Sequence, residues 1–257
     1  MKTKSENRLM SYLKTKTEIE KMTAAGRISA KAMALVGKLV KPGITTLELD
    51  KKVEEVFKQA GADSAFKQVE GYKFSICSTP NNQVVHGLPN NEPLVTGDIV
   101  GIDLGALFQG YNSDMAQTFA VGKVTAGVSR FLRTGEEALA KALAQAQVGN
   151  HIGDISSAIQ TVIEKAGYSV VREFVGHGVG KELHEEPWVP GIGKKGSGER
   201  LEEGLVIAIE IIYNQGKSGV ALLPDGWTVV TKDSSLSGLF ERTVAITDKG
   251  PVVLTAE

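Results

Sequence analysis

The sequence repeats a helical pattern 106 positions further along the chain. Seven residues match without a gap: Gly43, Leu49, Val53, Val56, Phe57, Ala60 and Gly61 correspond to Gly149, Ile155, Ile159, Val162, Ile163, Ala166 and Gly167. The helix before them has a counterpart in residues 131–146. Any two amphipathic helices that end in Ala-Gly resemble each other, but seven matches favour two related halves. Such halves predict an α+β fold with an antiparallel sheet, helices on its outer face and a site where the halves meet.

Local patterns predict where helices and strands lie. Thr17 with Glu20 and Thr45 with Glu48 form capping boxes, which mark the starts of the first two helices. Strands are indicated where apolar or alternating runs are bounded by turn residues. These runs cover residues 74–79, 83–86, 99–107, 115–121, 170–175, 205–213, 220–223, 227–232 and 240–247.

Composition narrows the class of protein. The 257 residues are 42% hydrophobic and 23% charged, which suffices for a large core, so residues 16–257 are predicted to form a single domain after a solvated lead-in over residues 1–15. A formal net charge of -1 without a basic block gives no reason to expect a nucleic-acid or membrane partner. Cys77 is the only cysteine, and no signal peptide or membrane-spanning run is evident. We expect a monomeric cytoplasmic protein.

Residues 98–118, which read DIVGIDLGALFQGYNSDMAQT, place two carboxylates in an apolar setting. Residues 99–107 predict a strand buried on both faces with Asp103 in its middle. The chain then turns and returns, so an antiparallel hairpin brings Asp114 near Asp103. Like charges this close in a core either share a proton or bind a cation, because two bare ionised carboxylates are strongly destabilising there.

Two more acids interrupt apolar strands, Glu210 in LVIAIEIIY and Glu241 in LFERTVAI. One buried acid could pair with an arginine or lysine, but four favour a metal site. His177 offers a nitrogen ligand, and its flanking glycines allow the backbone to approach a crowded centre. With Asp103 and Asp114, the set exceeds the ligands of one tetrahedral zinc and suits two divalent ions of the Mn, Fe, Co or Zn kind. The implied reaction is hydrolysis.

Other candidates have an ordinary structural interpretation. His86 and His184 lie at strand ends or turns where an imidazole could contact a substrate carbonyl, yet spacing alone favours surface or core histidines. Cys77 as a nucleophile beside His86 is weaker than Cys77 as a small buried hydrophobe. Trp227 is more often a core residue, and His151 is interpreted as structural.

Five segments taken in order resemble the type I methionine aminopeptidases, members of the pita-bread metallopeptidase superfamily. They are HGLPN, DIVGIDLGALFQGYNSDMAQTF, GHGVGKELHEEP, IAIE and WTVVTKDSSLSGLFERT. The resemblance runs from about residue 15 to the C-terminus, and its motifs are specific in combination. It implies the pita-bread fold, with a pseudo-twofold antiparallel sheet, and removal of the initiator methionine from proteins with a small second residue. Its substrates would be peptide or nascent-protein N-termini, with ribosome association as one option.

The resemblance also assigns roles. It implies a two-metal site in which Asp114 and Glu241 bridge the ions, formed by Asp103, Asp114, His177, Glu210 and Glu241. Glu210 doubles as the acid/base group that handles the attacking water. His86 and His184 contact the substrate near the scissile bond. The methionine side chain is received by Tyr72, Cys77 and Trp227.

Six positions near this site depart from the family's usual residues. They are Phe66, Val69, Val85, Leu183, Ile211 and Arg242. The five metal ligands are intact, so hydrolase chemistry is better supported than methionine specificity. The nearest rival is another pita-bread exopeptidase, such as an Xaa-Pro dipeptidase, although those usually carry an additional N-terminal domain. A non-catalytic pita-bread binding module is disfavoured because such relatives typically lose metal ligands.

Overall fold

The computed structural model describes residues 12–256. Within residues 12–256, four α-helices occur in two pairs. Helices α1 (Lys16–Leu39) and α2 (Thr46–Gln59) belong to the first half of the chain, and α3 (Ala126–Leu143) and α4 (Ile152–Lys165) to the second. Helix α2 shifted by 106 positions gives residues 152–165, the bounds of α4, so the repeat predicted from sequence is present in the structure. No helix among the described residues is long and apolar enough to cross a membrane.

The same described part of the chain contains fifteen strands. In chain order they are β1 (Asp63–Ser64), β2 (Ile76–Pro80), β3 (Gln83–Val85), β4 (Ile99–Leu104), β5 (Ala106–Phe108), β6 (Tyr111–Asn112), β7 (Met115–Ala120), β8 (Ser169–Val170), β9 (Gly176–Gly178), β10 (Glu185–Val189), β11 (Val206–Asn214), β12 (Val220–Leu222), β13 (Val229–Thr231), β14 (Ser237–Thr247) and β15 (Gly250–Val253). The main sheet is antiparallel in the order β10-β9-β11-β14-β7-β4-β2, with β15 beside β14 and β8 beside β11. Two three-stranded sheets, β1-β5-β6 and β12-β13-β3, flank it.

One face of the main sheet is covered by the helices. Alternate residues of β11, among them Ile207, Ile209 and Ile211, pack against apolar residues of α3 and α4. In the same way Ile102 and Leu104 of β4 pack against α1 and α2. Because side chains alternate along a strand, the residues between these positions point to the opposite face. The expected α+β arrangement, with an antiparallel sheet and helices outside it, is confirmed.

The first helix starts earlier than predicted. Its N-cap is Thr15, whose hydroxyl oxygen accepts a bond from the Glu18 amide at 3.3 Å, while the Thr15 amide donates to the Glu18 carboxylate at 2.8 Å. The capping box predicted at Thr17 is therefore wrong, and Thr17 lies in the first turn. Thr45, in contrast, caps α2 with Glu48 as predicted.

Part of the predicted lead-in is packed. Tyr12 and Leu13 contact the core between the second helix pair and the sheet, and the Lys14 ammonium lies 2.6 Å from the Glu185 carboxylate in a largely buried ion pair. A solvated lead-in up to residue 15 is thus wrong for residues 12–14, and residues 1–11 lie outside the described part of the chain.

Three strand predictions need correction. The predicted strand over residues 99–107 divides at Gly105, where the chain leaves the main sheet and passes close to the Ser113 backbone, so β4 and β5 belong to different sheets. The run predicted over residues 170–175 is in a strand only at Val170, the second residue of β8. Strand β10 was not predicted, because Glu185, Glu186 and Pro187 lack strand propensity.

Candidate metal centre

A row of cross-strand neighbours carries most of the predicted metal ligands. Glu210 of β11 lies opposite Glu241 of β14, Glu241 lies opposite Ala116 of β7, and Ala116 lies opposite Asp103 of β4. Directly opposed residues project to the same face of a sheet. For this row it is the face away from the helices. Asp103, Glu210 and Glu241 each interrupt an apolar strand because their side chains point to the face that borders a cavity, whereas the neighbouring residues face the helices.

Asp114 and His177 complete the cluster. Single donor atoms from Asp103, Asp114 and Glu241 lie within 4.8 Å of one another, and so do donor atoms from Asp114, His177 and His184. The His177 Nε2 atom is 3.7 Å from Asp114 Oδ2 and 4.0 Å from Glu241 Oε1. Sequence reasoning therefore identified residues that the fold brings together.

The tautomer of His177 leaves a nitrogen ligand directed at the acids. Its Nδ1 lies 2.9 Å from the Gly178 carbonyl oxygen, which fixes the proton on Nδ1 and leaves the Nε2 lone pair facing the carboxylates. Burial lowers the pKa of His177 to about 3, so the ring is neutral at physiological pH. A lone pair directed at carboxylate oxygens is repulsive unless a proton or a metal cation lies between them.

Burial also acts on the carboxylates. It raises the pKa of Glu210 to about 8, with the charge of Asp103 as a second cause. Burial and neighbouring acids raise the pKa values of Asp103, Asp114 and Glu241 well above their ordinary range. Within the described residues, the Oδ1 atoms of Asp103 and Asp114 are buried without a hydrogen-bond partner. This donor set is rich in carboxylate oxygens and contains one imidazole, so it fits divalent metal ions.

Arg242 does not neutralise the cluster, although it follows Glu241 directly. Its guanidinium donates to the carbonyl oxygens of Ala116 and Glu241, at 3.0 and 2.7 Å, and to the Gln117 side-chain oxygen at 3.0 Å. The charge of Arg242 lowers the pKa of Glu241, but by less than burial and the neighbouring acids raise it, so pairing with this arginine does not account for the cluster.

His86 and His184 line the same cavity as the acids. The His184 ring packs edge-on against His177 with centroids 4.4 Å apart, and His86 packs edge-on against Phe174 at 5.5 Å. Desolvation lowers the pKa of both histidines, so they are neutral at physiological pH. His86 has a positive φ of 58°, uncommon for a residue with a side chain and frequent at functional sites.

The cavity has a volume of about 420 Å³ and an apolar end. Tyr72, Cys77 and Trp227 lie there, with the Tyr72 and Trp227 rings 5.0 Å apart. The Tyr72 hydroxyl donates to the Ile76 carbonyl oxygen at 2.8 Å, which fixes this wall. Burial and the charge of Asp103 raise the pKa of the Cys77 thiol, which argues against Cys77 as a nucleophile.

The six unusual residues divide into two groups. Four line the cavity: Phe66, Val69, Val85 and Leu183. Ile211 instead packs in the core beneath the sheet, and Arg242 lies on the far side from the acids. Sequence reasoning missed Phe174 and Trp188, which also line the cavity. The position of Trp188 four residues after His184 was the available signal, but it required the unpredicted strand β10.

His151 lies apart from this cavity, at the N-terminus of α4, where its amide donates to Asp154 Oδ2 at 2.8 Å. This agrees with a structural role.

Comparison with known proteins gives consistent matches. The model of metallopeptidase family M24 matches residues 20–248. A methionine aminopeptidase of Clostridium perfringens is 46% identical over 246 residues, which are 96% of this chain and 99% of that protein. Methionine aminopeptidase 1 of Bacillus subtilis is 44% identical, with the same coverage.

Solved structures match over nearly the whole chain as well. The crystal structure of a methionine aminopeptidase from Thermotoga maritima superposes with a TM-score of 0.93 at 42% identity, covering 95% of this chain and 99% of that one. A prolidase from Pyrococcus furiosus gives a TM-score of 0.80 at 27% identity. The match covers all of this chain and 69% of the prolidase chain.

Proposed function

The chain belongs to metallopeptidase family M24, and from that premise we propose that it is a metal-dependent methionine aminopeptidase. It hydrolyses the first peptide bond of peptides and nascent proteins, and removes the initiator methionine when the second residue is small. The observation that carries the proposal is the buried group of four carboxylates and one imidazole that lines a cavity with an apolar end and forms no salt bridge with an arginine or lysine of the described residues. The fold is the pita-bread fold that the sequence resemblance implied.

Two divalent ions would be held by the five clustered residues, Asp103, Asp114, His177, Glu210 and Glu241. The proposed bridging ligands, Asp114 and Glu241, each lie within reach of the His177 Nε2 atom, which supports their central position. When bound, the ions supply polarisation of the scissile carbonyl and a more acidic attacking water. Availability in the cell decides between Mn, Fe, Co and Zn.

Glu210 is the proposed acid/base group. Glu210 belongs to neither of the two sets of donor atoms that lie within 4.8 Å of one another, but it lines the same cavity. One of its carboxylate oxygens is therefore available for proton transfer. It accepts a proton from the attacking water and returns it to the leaving amine. Burial raises the pKa of Glu210 in the metal-free protein to about 8, and bound cations would lower it towards the value of a group that both takes and gives a proton.

His86 and His184 are proposed to orient the substrate. Both are neutral, both are exposed to the cavity, and each is held by an edge-on ring contact. A neutral imidazole N–H can donate to the scissile carbonyl oxygen, where negative charge develops. Tyr72, Cys77 and Trp227 form the proposed site for the methionine side chain, with aromatic rings and a thiol suited to a thioether.

The test is release of the N-terminal residue from peptides that begin Met-Ala, Met-Pro, Met-Lys, Leu-Ala or Ala-Pro. Metal-stripped protein is reconstituted with Mn or Co, with a chelator and Asp103→Asn as controls. We expect metal-dependent cleavage of the Met-Ala and Met-Pro peptides only. Cleavage of the Leu-Ala or Ala-Pro peptide would show that the enzyme is a broader exopeptidase. Absence of cleavage in metal-loaded protein would favour a non-catalytic binding module.

Three finer features belong to the same proposal. We propose that the enzyme acts as a monomer in the cytoplasm and meets its substrates as they leave the ribosome. Co-sedimentation with translating ribosomes tests the ribosome contact, mass in solution tests the monomer, and cell fractionation tests the location, all independently of activity.

A further inference from the structure

Residues 180–184 lie between β9 and β10 and carry His184, but they form neither a helix nor a strand. Leu183 and His184 in this connection both line the cavity of the candidate metal centre. Outside regular secondary structure, the position of a side chain depends on individual tertiary contacts. The contacts that fix residues 180–184 therefore determine where the His184 imidazole lies.

The carboxylate of Glu185, the first residue of β10, closes this connection. Its Oε1 atom accepts a hydrogen bond from the Glu182 amide at 3.2 Å, and its Oε2 atom lies 2.6 Å from the Lys14 ammonium. The two residues between Glu182 and Glu185 are thereby enclosed by a hydrogen bond. A side chain at Gly180 would collide with the Glu185 carboxylate and with Cε of Lys14, so the ion pair packs directly against the backbone of the connection.

Lys14 is itself fixed in place. Its amide donates to the Gly204 carbonyl oxygen at 2.7 Å, and its ammonium also donates to the Tyr12 carbonyl oxygen at 2.8 Å. The Lys14 and Glu185 side chains are only 9% and 13% exposed, so solvent screens their attraction much less than that of a surface ion pair. Removal of either partner would leave the other as a largely buried, unpaired charge. The ion pair is therefore a firm contact between the segment before α1 and the start of β10.

The other end of the connection is held by the first half of the chain. The Asn112 side-chain amide donates to the carbonyl oxygens of Lys181, at 2.8 Å, and Gly180, at 3.3 Å. The Asn112 backbone amide also donates to the Gly180 oxygen at 2.8 Å. Asn112 thus fixes the start of the connection, and the Lys14–Glu185 pair fixes its end, next to His184.

From these contacts we infer that Lys14 and Glu185 are positioning residues, which hold the His184 imidazole in place for the reaction. The inference rests on the proposed function, in which His184 orients the substrate. Neither Lys14 nor Glu185 is among the residues that line the cavity, so their effect should pass through His184. Misplacement of a reacting group by about 1 Å can lower a rate about 100-fold.

The experiment is a double-mutant cycle of Lys14→Met and His184→Ala, with steady-state cleavage of Met-Ala-Ser by Mn-loaded protein. Lys14→Met alone should lower kcat about 10- to 100-fold, while KM changes by less than about threefold and the bound metal is kept. In the His184→Ala background the same substitution should lower kcat by less than about twofold, because the imidazole that Lys14 positions is absent. A merely structural contribution would lower kcat equally in both backgrounds.

Two variants control for charge and for ion pairs in general. Lys14→Arg keeps the positive charge and should retain more of the wild-type kcat than Lys14→Met. Lys52→Met breaks an ion pair with Glu55 of similar length, 2.8 Å, whose side chains are 48% and 55% exposed, and it should leave kcat unchanged. If Lys14→Met does not fold, Glu185→Gln takes its place in the cycle, since it removes the other charge of the pair.

The possible results separate this inference from the proposed function. Equal losses of kcat in the two backgrounds, an unchanged kcat in Lys14→Met, or loss of its bound metal would overturn the inference and leave the aminopeptidase intact. A wild-type protein that cleaves no peptide would instead refute the proposed function, and the inference with it.

Discussion

Glu210 and Glu241 are direct cross-strand partners in β11 and β14, and both line the same cavity. Like charges in directly opposed positions destabilise a sheet. Burial raises the pKa of each residue, and Glu210 adds to the effect on Glu241. The pair is therefore unfavourable for the bare protein and favourable once a cation binds. The candidate metal centre therefore lowers the stability of the metal-free protein, and the first two predictions follow from this.

Asp103→Asn should abolish metal binding and activity while the fold is kept. Asparagine fills the same volume but removes one charge from a repulsive cluster, so the metal-free variant should melt at the same temperature as wild type or higher. We expect kcat/KM to fall by at least about 100-fold, since loss of an outer-shell partner alone costs about 10- to 100-fold. Calorimetric titration with Mn and thermal melts measure both effects.

The control for this variant is Asp63→Asn, which neutralises an exposed acid of β1 away from the cavity. It should change neither metal binding nor melting temperature. Full activity in Asp103→Asn protein would remove the metal mechanism from consideration.

The metal-free protein should lose stability as pH rises from about 6.5 to 8. Glu210 has a pKa of about 8 in the fold against 4.5 as its ordinary value, so the folded state binds more protons than the unfolded state in this window, where the cavity histidines with lowered pKa values are neutral in both states. Stability then falls by up to about 1.4 kcal/mol per pH unit for one such proton. Chelator-treated protein melted across this range tests the sign.

Addition of Mn should flatten that dependence, because bound ions compensate the carboxylates whether or not protons are present. Glu182→Gln, which alters an exposed acid outside the cavity, should leave the slope of the metal-free protein unchanged. A metal-free protein that becomes more stable towards pH 8 would contradict the assignment of raised pKa values.

The local sequence was sufficient for features that depend on local spacing. Gly61 and Gly167 follow the two matching helices and have positive φ values of 67° and 87°. In both helices the apolar residues recur with the helical period. The acids at Asp103 and Glu210 stood out because each interrupts an apolar strand. An acid within an apolar strand is informative because one face of the main sheet is covered by helices and the other borders a cavity.

Features fixed by distant contacts were not predictable. Both Thr15 and Thr17 are followed by glutamate at the third position, so the sequence offers two capping boxes. The fold selects Thr15 because the Tyr111 hydroxyl, 93 residues away, donates to Glu18 at 2.8 Å. Similarly, strand β10 forms because β9 pairs with it, not because of its own propensity.

His86→Ala and His184→Ala should each keep the bound metal and lose turnover. General acid–base and hydrogen-bonding groups of this kind contribute about 10²- to 10⁴-fold to rate, so kcat should fall within that range. His151→Ala removes an imidazole outside the cavity and serves as the matched control. Metal content and steady-state kinetics are measured on the same preparations.

His184 provides the sharper comparison of the two. Its imidazole lies within 4.8 Å of donor atoms from Asp114 and His177. Loss of one metal ion from His184→Ala would make it a ligand instead of a substrate contact, and the proposed role would then belong to His86 alone.

Cys77 should resist thiol reagents and be dispensable for the chemistry. Its side chain is 5% exposed, and burial raises the pKa of the thiol, so little thiolate is present at neutral pH. As the only cysteine, it can be followed by thiol labelling without a background. Cys77→Ala should retain kcat within about threefold, with any effect mainly on KM for methionine peptides because the thiol lines their proposed pocket.

The same labelling carried out in denaturant should be fast, which controls for an oxidised thiol. Rapid labelling of the native protein coupled to loss of activity would return Cys77 to the list of candidate nucleophiles.

Thr15→Ala should destabilise the protein by about 1 kcal/mol, whereas Thr17→Ala should have almost no effect. Both threonines are exposed and lie at one helix end, so the pair is closely matched. Only Thr15 provides an oxygen for an otherwise unpaired amide, that of Glu18, and losing such a cap typically costs about this much. At Thr17 alanine removes only a β-branched side chain from the first turn. Denaturant unfolding at pH 7 separates the two; a larger loss for Thr17→Ala would restore the capping box that the sequence alone predicts.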